Sequence, residues 1–154
     1  EEQQLVTTFI EHQLEKIATN LEIDKTETVK AGNLLHLRTK VSGDLKETSS
    51  LEELIRALHP TPAVCGLPRE AASAFILKNE NYDRSFYTGF LGELNIQHSN
   101  KDEKSTSLFV NLRCMKIEQN KASIFVGGGI TKDSNAEKEW EETVSKSKTM
   151  KRVL

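Results

Sequence analysis

Leu5, Val6, Phe9, Ile10, Leu14, Ile17, Ala18 and Leu21 recur at helical spacing, which predicts an amphipathic helix from residue 1 to about residue 21. Glu1, Glu2, Gln3 and Gln4 form its polar first turn, where carboxylates complement the helix dipole. Thr28 to Gly32 reads as a short extended piece. From Leu35 to Val41 apolar residues alternate with His36, Arg38 and Lys40, the period of a half-buried strand, and Ser42-Gly43-Asp44 reads as the turn that ends it. Ser50-Leu51-Glu52-Glu53 has the form of a capping box and opens a helix to about Leu58. The three prolines, Pro60, Pro62 and Pro68, bar regular helix until Pro68, which can serve as the first residue of a helix carrying Ala71, Ala72, Phe75 and Ile76.

In the second half, Phe86 to Leu94 reads as a strand interrupted by Gly89 and Gly92, and Gln97 to Thr106 as a polar loop. Leu108, Val110, Leu112 and Cys114 alternate with Phe109, Asn111, Arg113 and Met115, which predicts one continuous strand. Glu118 to Lys121 turns the chain, Ala122 to Val126 returns, and the hairpin leads into Gly127-Gly128-Gly129. Ser134, with Glu137 three residues later, is expected to cap a last helix running towards Leu154. Helices interleaved with hairpins favour α+β or a layered α/β/α arrangement over a doubly wound parallel sheet.

A length of 154 residues suits one domain or a large piece of one. The sequence opens without Met, directly on a helical pattern, and is read as a segment of a longer polypeptide. Lys and Arg number 21 against 23 Asp and Glu, so no basic excess marks the chain for nucleic acid. The apolar runs fall far short of the ~20 residues that span a bilayer. Cys65 and Cys114 are too few for a disulfide framework or a zinc site, so a reducing cytoplasm is expected.

Three polar features could carry chemistry. The Gly127-Gly128-Gly129 run could be an anion nest of backbone N–H groups or a tight turn. Glu139, Glu142 and Lys146 lie at i, i+3 and i+7 on one helix face, beside Trp140 and Val144; the carboxylates could ligate Mg²⁺, or the face could be a solvated ion-pair surface. Arg113 shares a strand face with Phe109, Asn111 and Met115, which could aim it at a carboxylate or leave it in solvent. His36, on another strand, could be a proton donor or a structural residue. Spacing by itself leads to an α/β domain with room for a small carboxylated anion.

The strings are more specific than the spacings. Leu58 to Ala72, with Pro60-Thr61-Pro62-Ala63-Val64-Cys65-Gly66-Leu67-Pro68-Arg69 at its centre, resembles the signature loop of isochorismate synthases. Further similar blocks follow in order: Glu2 with Leu5-Val6-Thr7; Leu35-His36-Leu37; Tyr82-Asp83-Arg84 with Tyr87-Thr88-Gly89 and Gly92; Asn111-Leu112-Arg113-Cys114; Gly127-Gly128-Gly129-Ile130; and Glu139-Trp140-Glu141-Glu142-Thr143 with Lys146. Amine-transferring relatives tend to carry threonine in place of Ala63 and lysine in place of Arg69, so both positions match the isochorismate branch. Cys65 stands where a smaller residue is more common and is read as packing.

The resemblance implies the C-terminal part of a layered α/β/α chorismate-binding domain, covering residues 1–154, from an enzyme that uses Mg²⁺ to interconvert chorismate and isochorismate. It adds water at ring C2 and expels the C4 hydroxyl. A salicylate or aminodeoxychorismate synthase, or a non-catalytic anion-binding module, is the alternative. The product would feed menaquinone or catechol siderophore synthesis, and the whole protein is expected to be a monomer. Residue by residue, the resemblance implies Glu2 and Glu142 as Mg²⁺ ligands, with Glu139 supporting them. Arg113 and Tyr87 would hold the enolpyruvyl carboxylate, assisted by the backbone of Gly127, Gly128 and Gly129. Lys146 would lie near carboxylate and metal, His36 beside the departing hydroxyl, and Ala63 and Gly66 along the ring. The family's water-activating lysine and proton-donating glutamate lie upstream of the block matching Glu2, so these 154 residues alone are expected to be inactive.

Overall fold

The structure is a computed structural model describing residues 2–31, 34–97 and 103–154; the side chains of Glu2, Ala31 and Leu34 lie outside that description. Backbone contacts divide the chain into two compact units, Glu1–Lys78 and Asn79–Leu154. Among the described residues there are four helices and eight strands, the strands paired as four two-stranded antiparallel sheets.

The first unit opens with α1 (Glu2–Ile17), shorter than its periodicity predicts, because Ala18–Ile23 forms β1. Asn20 takes a positive φ of 52°, incompatible with a continuing helix, and its Nδ2 donates to Asp44 Oδ2 at 2.8 Å. Lys46 closes the helix end, its ammonium donating to the carbonyls of Glu15 and Lys16 at 3.2 and 2.8 Å. Leu14 and Ala18 are buried at this junction.

The single strand expected over 35–41 is two strands with different partners. β3 (Leu34–Arg38) pairs with β2 (Glu27–Ala31), and β4 (Val41–Leu45) pairs with β1. The break falls at Thr39–Lys40, where the Thr39 hydroxyl meets Gln3 Nε2 at 3.0 Å and the Thr26 hydroxyl at 2.8 Å. Ser42-Gly43-Asp44 therefore lies inside β4 instead of forming a turn. Leu21 lies over Gly43: a Cβ there would sit 2.6 Å from Leu21 Cδ2 and 3.0 Å from the Thr19 carbonyl oxygen.

The capping box is formed as expected. Ser50 Oγ accepts from Glu53 N at 3.1 Å and Glu53 Oε2 accepts from Ser50 N at 2.7 Å, opening α2 (Leu51–Leu58). Arg69 donates to the carbonyls of Arg56 and Ala57 at 3.4 and 3.3 Å, satisfying the exposed end of α2, and its guanidinium lies 5.8 Å from the Phe9 ring centroid. Pro68 stands immediately before α3 (Arg69–Asn79), its carbonyl accepting from Ala72 N at 2.9 Å.

In the second unit β5 (Phe90–Gln97) pairs with β6 (Lys104–Val110), and β7 (Cys114–Glu118) with β8 (Lys121–Phe125). Phe86 to Gly89 is a turn preceding β5, not its start. The expected loop gives way to β6 at Lys104; residues 98–102 lie outside the description. The long strand expected over 108–115 breaks at Asn111-Leu112-Arg113. Asn111 exchanges backbone bonds with the 86–89 turn, Thr88 N to Asn111 O at 2.9 Å and Asn111 N to Gly89 O at 2.8 Å, while its side chain donates to Phe86 O at 2.8 Å. Arg113 then adopts φ 52°, so it shares no strand face with Phe109.

α4 (Ala136–Lys151) is capped by Asn135, whose Oδ1 accepts from Lys138 N at 3.1 Å, and not by Ser134. β5 is exposed along its whole length, and a lone two-stranded ribbon is marginal in water. Its pairing depends on Gly92, at φ 152°, where a Cβ would overlap the Ser107 carbonyl oxygen. Gly92→Ala in the full-length protein should therefore cost about 1–3 kcal/mol or more, read as a lowered denaturation midpoint.

Candidate functional site

Tyr87 is the buried aromatic of the second unit, 7% exposed. Its ring stacks on Phe125 with centroids 5.6 Å apart and 27° between planes, and Phe125 also meets Tyr82 at 6.0 Å. Phe125 is the last residue of β8 and pairs with Cys114. The chain leaves that hairpin end into Gly127, and a Cβ on Gly127 would stand 2.5 Å from the Tyr87 hydroxyl oxygen. Arg113 precedes Cys114, so the register sets it at this same end of the hairpin; it is half-buried.

Helix α4 supplies the other wall. Its Asn135 cap sets the phase that turns positions 139, 142 and 146 towards the glycine run. A Cβ on Gly128 would lie 3.3 Å from Glu139 Oε2, 3.5 Å from Glu142 Oε2 and 3.9 Å from Lys146 Nζ. Lys146 donates to the Gly127 carbonyl at 3.1 Å and pairs with Glu142 Oε1 at 2.9 Å. Ser134 Oγ accepts from Thr131 N at 3.0 Å and donates to Glu139 Oε1 at 2.7 Å, fixing that carboxylate. Two carboxylates and one ammonium thus meet bare backbone, an arrangement that can take an anion through the cation or a hard cation through the acids.

Tyr87, Gly127, Gly128, Glu139, Glu142 and Lys146 are therefore brought together, with Arg113 at the same hairpin end; Gly129 continues the run. The residues expected from the first unit are not gathered in this way. His36 is half-buried on β3 opposite Val29. Ala63 is exposed within a turn whose Thr61 carbonyl accepts from Val64 N and Cys65 N, each at 3.1 Å. Gly66 has φ 119°, which explains its lack of a side chain, and a Cβ there would approach Ala72 Cβ at 3.0 Å. Glu2 opens α1, but its side chain lies outside the described residues. Among the described residues, no hydrogen bond or ion pair joins His36 to Ala63 or Gly66, and no cluster of three or more His, Cys, Asp or Glu side chains forms a metal site. The first unit also holds an open groove of about 450 Å³ lined by Gln4, Leu5, Thr8, Phe9, His12 and Leu67, none of them a residue singled out for chemistry.

Residues 1–154 in full match the family described as chorismate binding enzyme. The chain belongs to that family. It is 34% identical over 143 residues to isochorismate synthase DhbC of Bacillus subtilis, covering 92% of this chain and 34% of that protein. To the salicylate biosynthesis isochorismate synthase of Pseudomonas aeruginosa it is 34% identical over 154 residues, covering 99% of this chain and 31% of that one. The solved structure of MenF, the menaquinone-specific isochorismate synthase from Escherichia coli, matches with a TM-score of 0.84 at 28% identity, over 97% of this chain and 33% of that chain. The mixed helix-and-sheet fold expected of the family is thus the one found, and the chain spans about a third of the length of these relatives. No helix among the described residues is long and apolar enough to cross a membrane.

Four groups to which the sequence assigned no role pack around Tyr87 in this family member, although Tyr82 and Arg84 belong to a block that carries the family resemblance. Phe125 packs its ring, Tyr82 flanks Phe125, and Arg84 lies over Tyr87 with its Cζ 5.6 Å from the centroid. Glu80 accepts from Arg84 Nε at 2.6 Å. The Tyr82-Asp83-Arg84 block resembled the family without indicating a role, and the Glu80/Arg84 spacing of four was uninformative without helical periodicity. Burial raises the Tyr87 phenol above its ordinary value. The hydrogen bond from Arg84 holds the Glu80 carboxyl below its ordinary value of 4.5. A lowered folded value means that this stabilisation is present above the unfolded value and is lost as pH falls through the folded one. Glu80→Gln should therefore flatten the loss of stability as pH falls below the ordinary carboxyl value of 4.5, measured by denaturant unfolding at each pH.

Proposed function

We propose that this chain supplies the carboxylate- and metal-binding part of an isochorismate synthase. The reading rests on one observation above all: Tyr87, Glu139, Glu142 and Lys146 converge on the Gly127–Gly128 backbone. Kinship with isochorismate synthases that serve different named pathways agrees with it, and leaves the product's use as either menaquinone or siderophore synthesis.

Mg²⁺ fits the donors present. Glu142 and Glu139 offer hard carboxylate oxygens side by side at Gly128, and Mg²⁺ commonly takes one or two protein carboxylates plus substrate oxygens and waters. When bound, the ion would offset the repulsion between these acids and the ring carboxylate of chorismate. Glu2 is proposed as a further ligand on the strength of the family resemblance. Lys146 adds positive charge at the Gly127 carbonyl and Glu142, lowering the cost of bringing a dianion to two acids. Arg113 offers a planar fork for the enolpyruvyl carboxylate, and the Tyr87 hydroxyl a second donor. Backbone N–H groups of Gly127 to Gly129 complete that pocket. His36 is assigned to the departing C4 hydroxyl, and Ala63 and Gly66 to contacts along the ring. The two cysteines are free and half-buried, which agrees with the proposed cytoplasmic setting.

Water addition at C2 also calls for a general base, and loss of the C4 hydroxyl for a general acid. In the family's pattern both precede the block that Glu2 matches, so turnover is assigned to the full-length protein and not to residues 1–154 alone. With chorismate, Mg²⁺ and no amine donor, the full-length protein should form isochorismate. Glu142→Gln should lower kcat at least about 100-fold while leaving the unfolding midpoint near wild type, since an exposed helix carboxylate contributes little to stability. Wild-type activity in Glu142→Gln would refute the ligand assignment. Arg113→Lys keeps the charge but loses the fork and should raise KM for chorismate about tenfold or more; an unchanged KM would refute the assignment of Arg113.

A further inference from the structure

We propose that Glu80 and Arg84 are positioning residues that hold Tyr87 in register with the glycine run, and so set the affinity for the carboxylate end of the substrate. This rests on the assignment of Tyr87 made above and extends it to two residues that touch neither substrate nor metal.

The geometry is a chain of three restraints. Glu80 Oε2 accepts from Arg84 Nε at 2.6 Å and Glu80 Oε1 accepts from Arg84 Nη2, a bidentate pair that fixes the plane of the guanidinium. Both side chains are largely removed from solvent, at 23% and 27% exposure, so the pair is screened less than a surface ion pair. The fixed guanidinium lies over the Tyr87 ring at 5.6 Å, and its Nη1 donates to Thr88 Oγ1 at 3.1 Å, tying it to the residue next to Tyr87. Tyr87 N donates to the Arg84 carbonyl at 2.8 Å, closing the loop through the backbone. Phe125 lies against the Tyr87 ring at 5.6 Å as a second packing partner. Between Arg84 and Phe125 the ring has little freedom, and its hydroxyl is delivered to Gly127, the point at which any Cβ would collide with it.

A lysine at position 84 keeps a positive charge but has neither the fork that grips Glu80 nor a planar group to lie on the ring. Loosening Tyr87 should weaken substrate binding without altering the chemical step. Two readouts on the full-length protein separate the clamp from the assignment beneath it. The first is ¹⁹F NMR of 3-fluorotyrosine incorporated at position 87, without substrate. Its resonance should shift or broaden in both Arg84→Lys and Glu80→Gln; an unmoved line in either would overturn the proposal. The second is steady-state kinetics with chorismate. Tyr87→Phe and Arg84→Lys should each raise KM about tenfold with kcat within about twofold. The double variant should be no worse than the more affected single one, because both changes remove the same contact. Fully multiplicative effects, or equal losses in kcat and KM, would overturn the positioning role. A moved ¹⁹F line with an unchanged KM in Tyr87→Phe would support the clamp and refute the assignment of Tyr87 to the substrate.

Discussion

Gly127 and Gly128 carry the chain through a gap that side chains on both flanks have already filled. On one flank the Tyr87 hydroxyl occupies the place a Cβ would take at Gly127; on the other, Glu139, Glu142 and Lys146 crowd the position beside Gly128. The close approach lets Lys146 bond the Gly127 carbonyl while pairing with Glu142, so one ammonium binds helix to loop and offsets part of the charge of two neighbouring acids. Helix phase, hairpin end and ring packing all have to agree for this to occur. Asn135 fixes the first, the Cys114↔Phe125 register the second, and the Tyr87–Phe125 stack the third.

Large apolar side chains lie exposed in both units, on α4 as elsewhere. Phe86 is 84% exposed, Leu77 82% and Trp140 69%, and β5 has no buried residue. Burying side chains of that size is worth about 1.5–3 kcal/mol each, a gain these residues do not realise here.

Element type was largely legible in the sequence; element ends and partners were not. The apolar period of α1 ran on through Ala18 and Leu21, but those residues serve β1, and only pairing with β4 reveals the change. The alternation from Leu35 to Val41, and again from Leu108 to Met115, spans two strands in each case. Period alone cannot register a change of partner at Thr39 or a corner at Asn111. At α4 two adjacent residues, Ser134 and Asn135, could each cap the helix. Asn135 took the backbone, which freed Ser134 to orient Glu139. At the glycine run, spacing and bare glycine left a turn beside an ion-pair face as open as a binding site, and only the resemblance grouped these residues with Tyr87. The Glu80–Arg84–Tyr87–Phe125 packing was not legible, because Phe125 is remote in sequence and the Glu80–Arg84 pair lies where α3 has already ended.

The proposed role of this cluster is to receive a divalent cation together with a carboxylated ligand. Anomalous diffraction from crystals of the full-length protein grown with Mn²⁺ in place of Mg²⁺, with chorismate present, tests it most directly. One strong peak is expected within about 2.0–2.3 Å of a Glu142 carboxylate oxygen, with ligand density against Gly127 to Gly129. A peak elsewhere, or none while Glu142 remains paired to Lys146 and the ligand lies in another cavity, would contradict it.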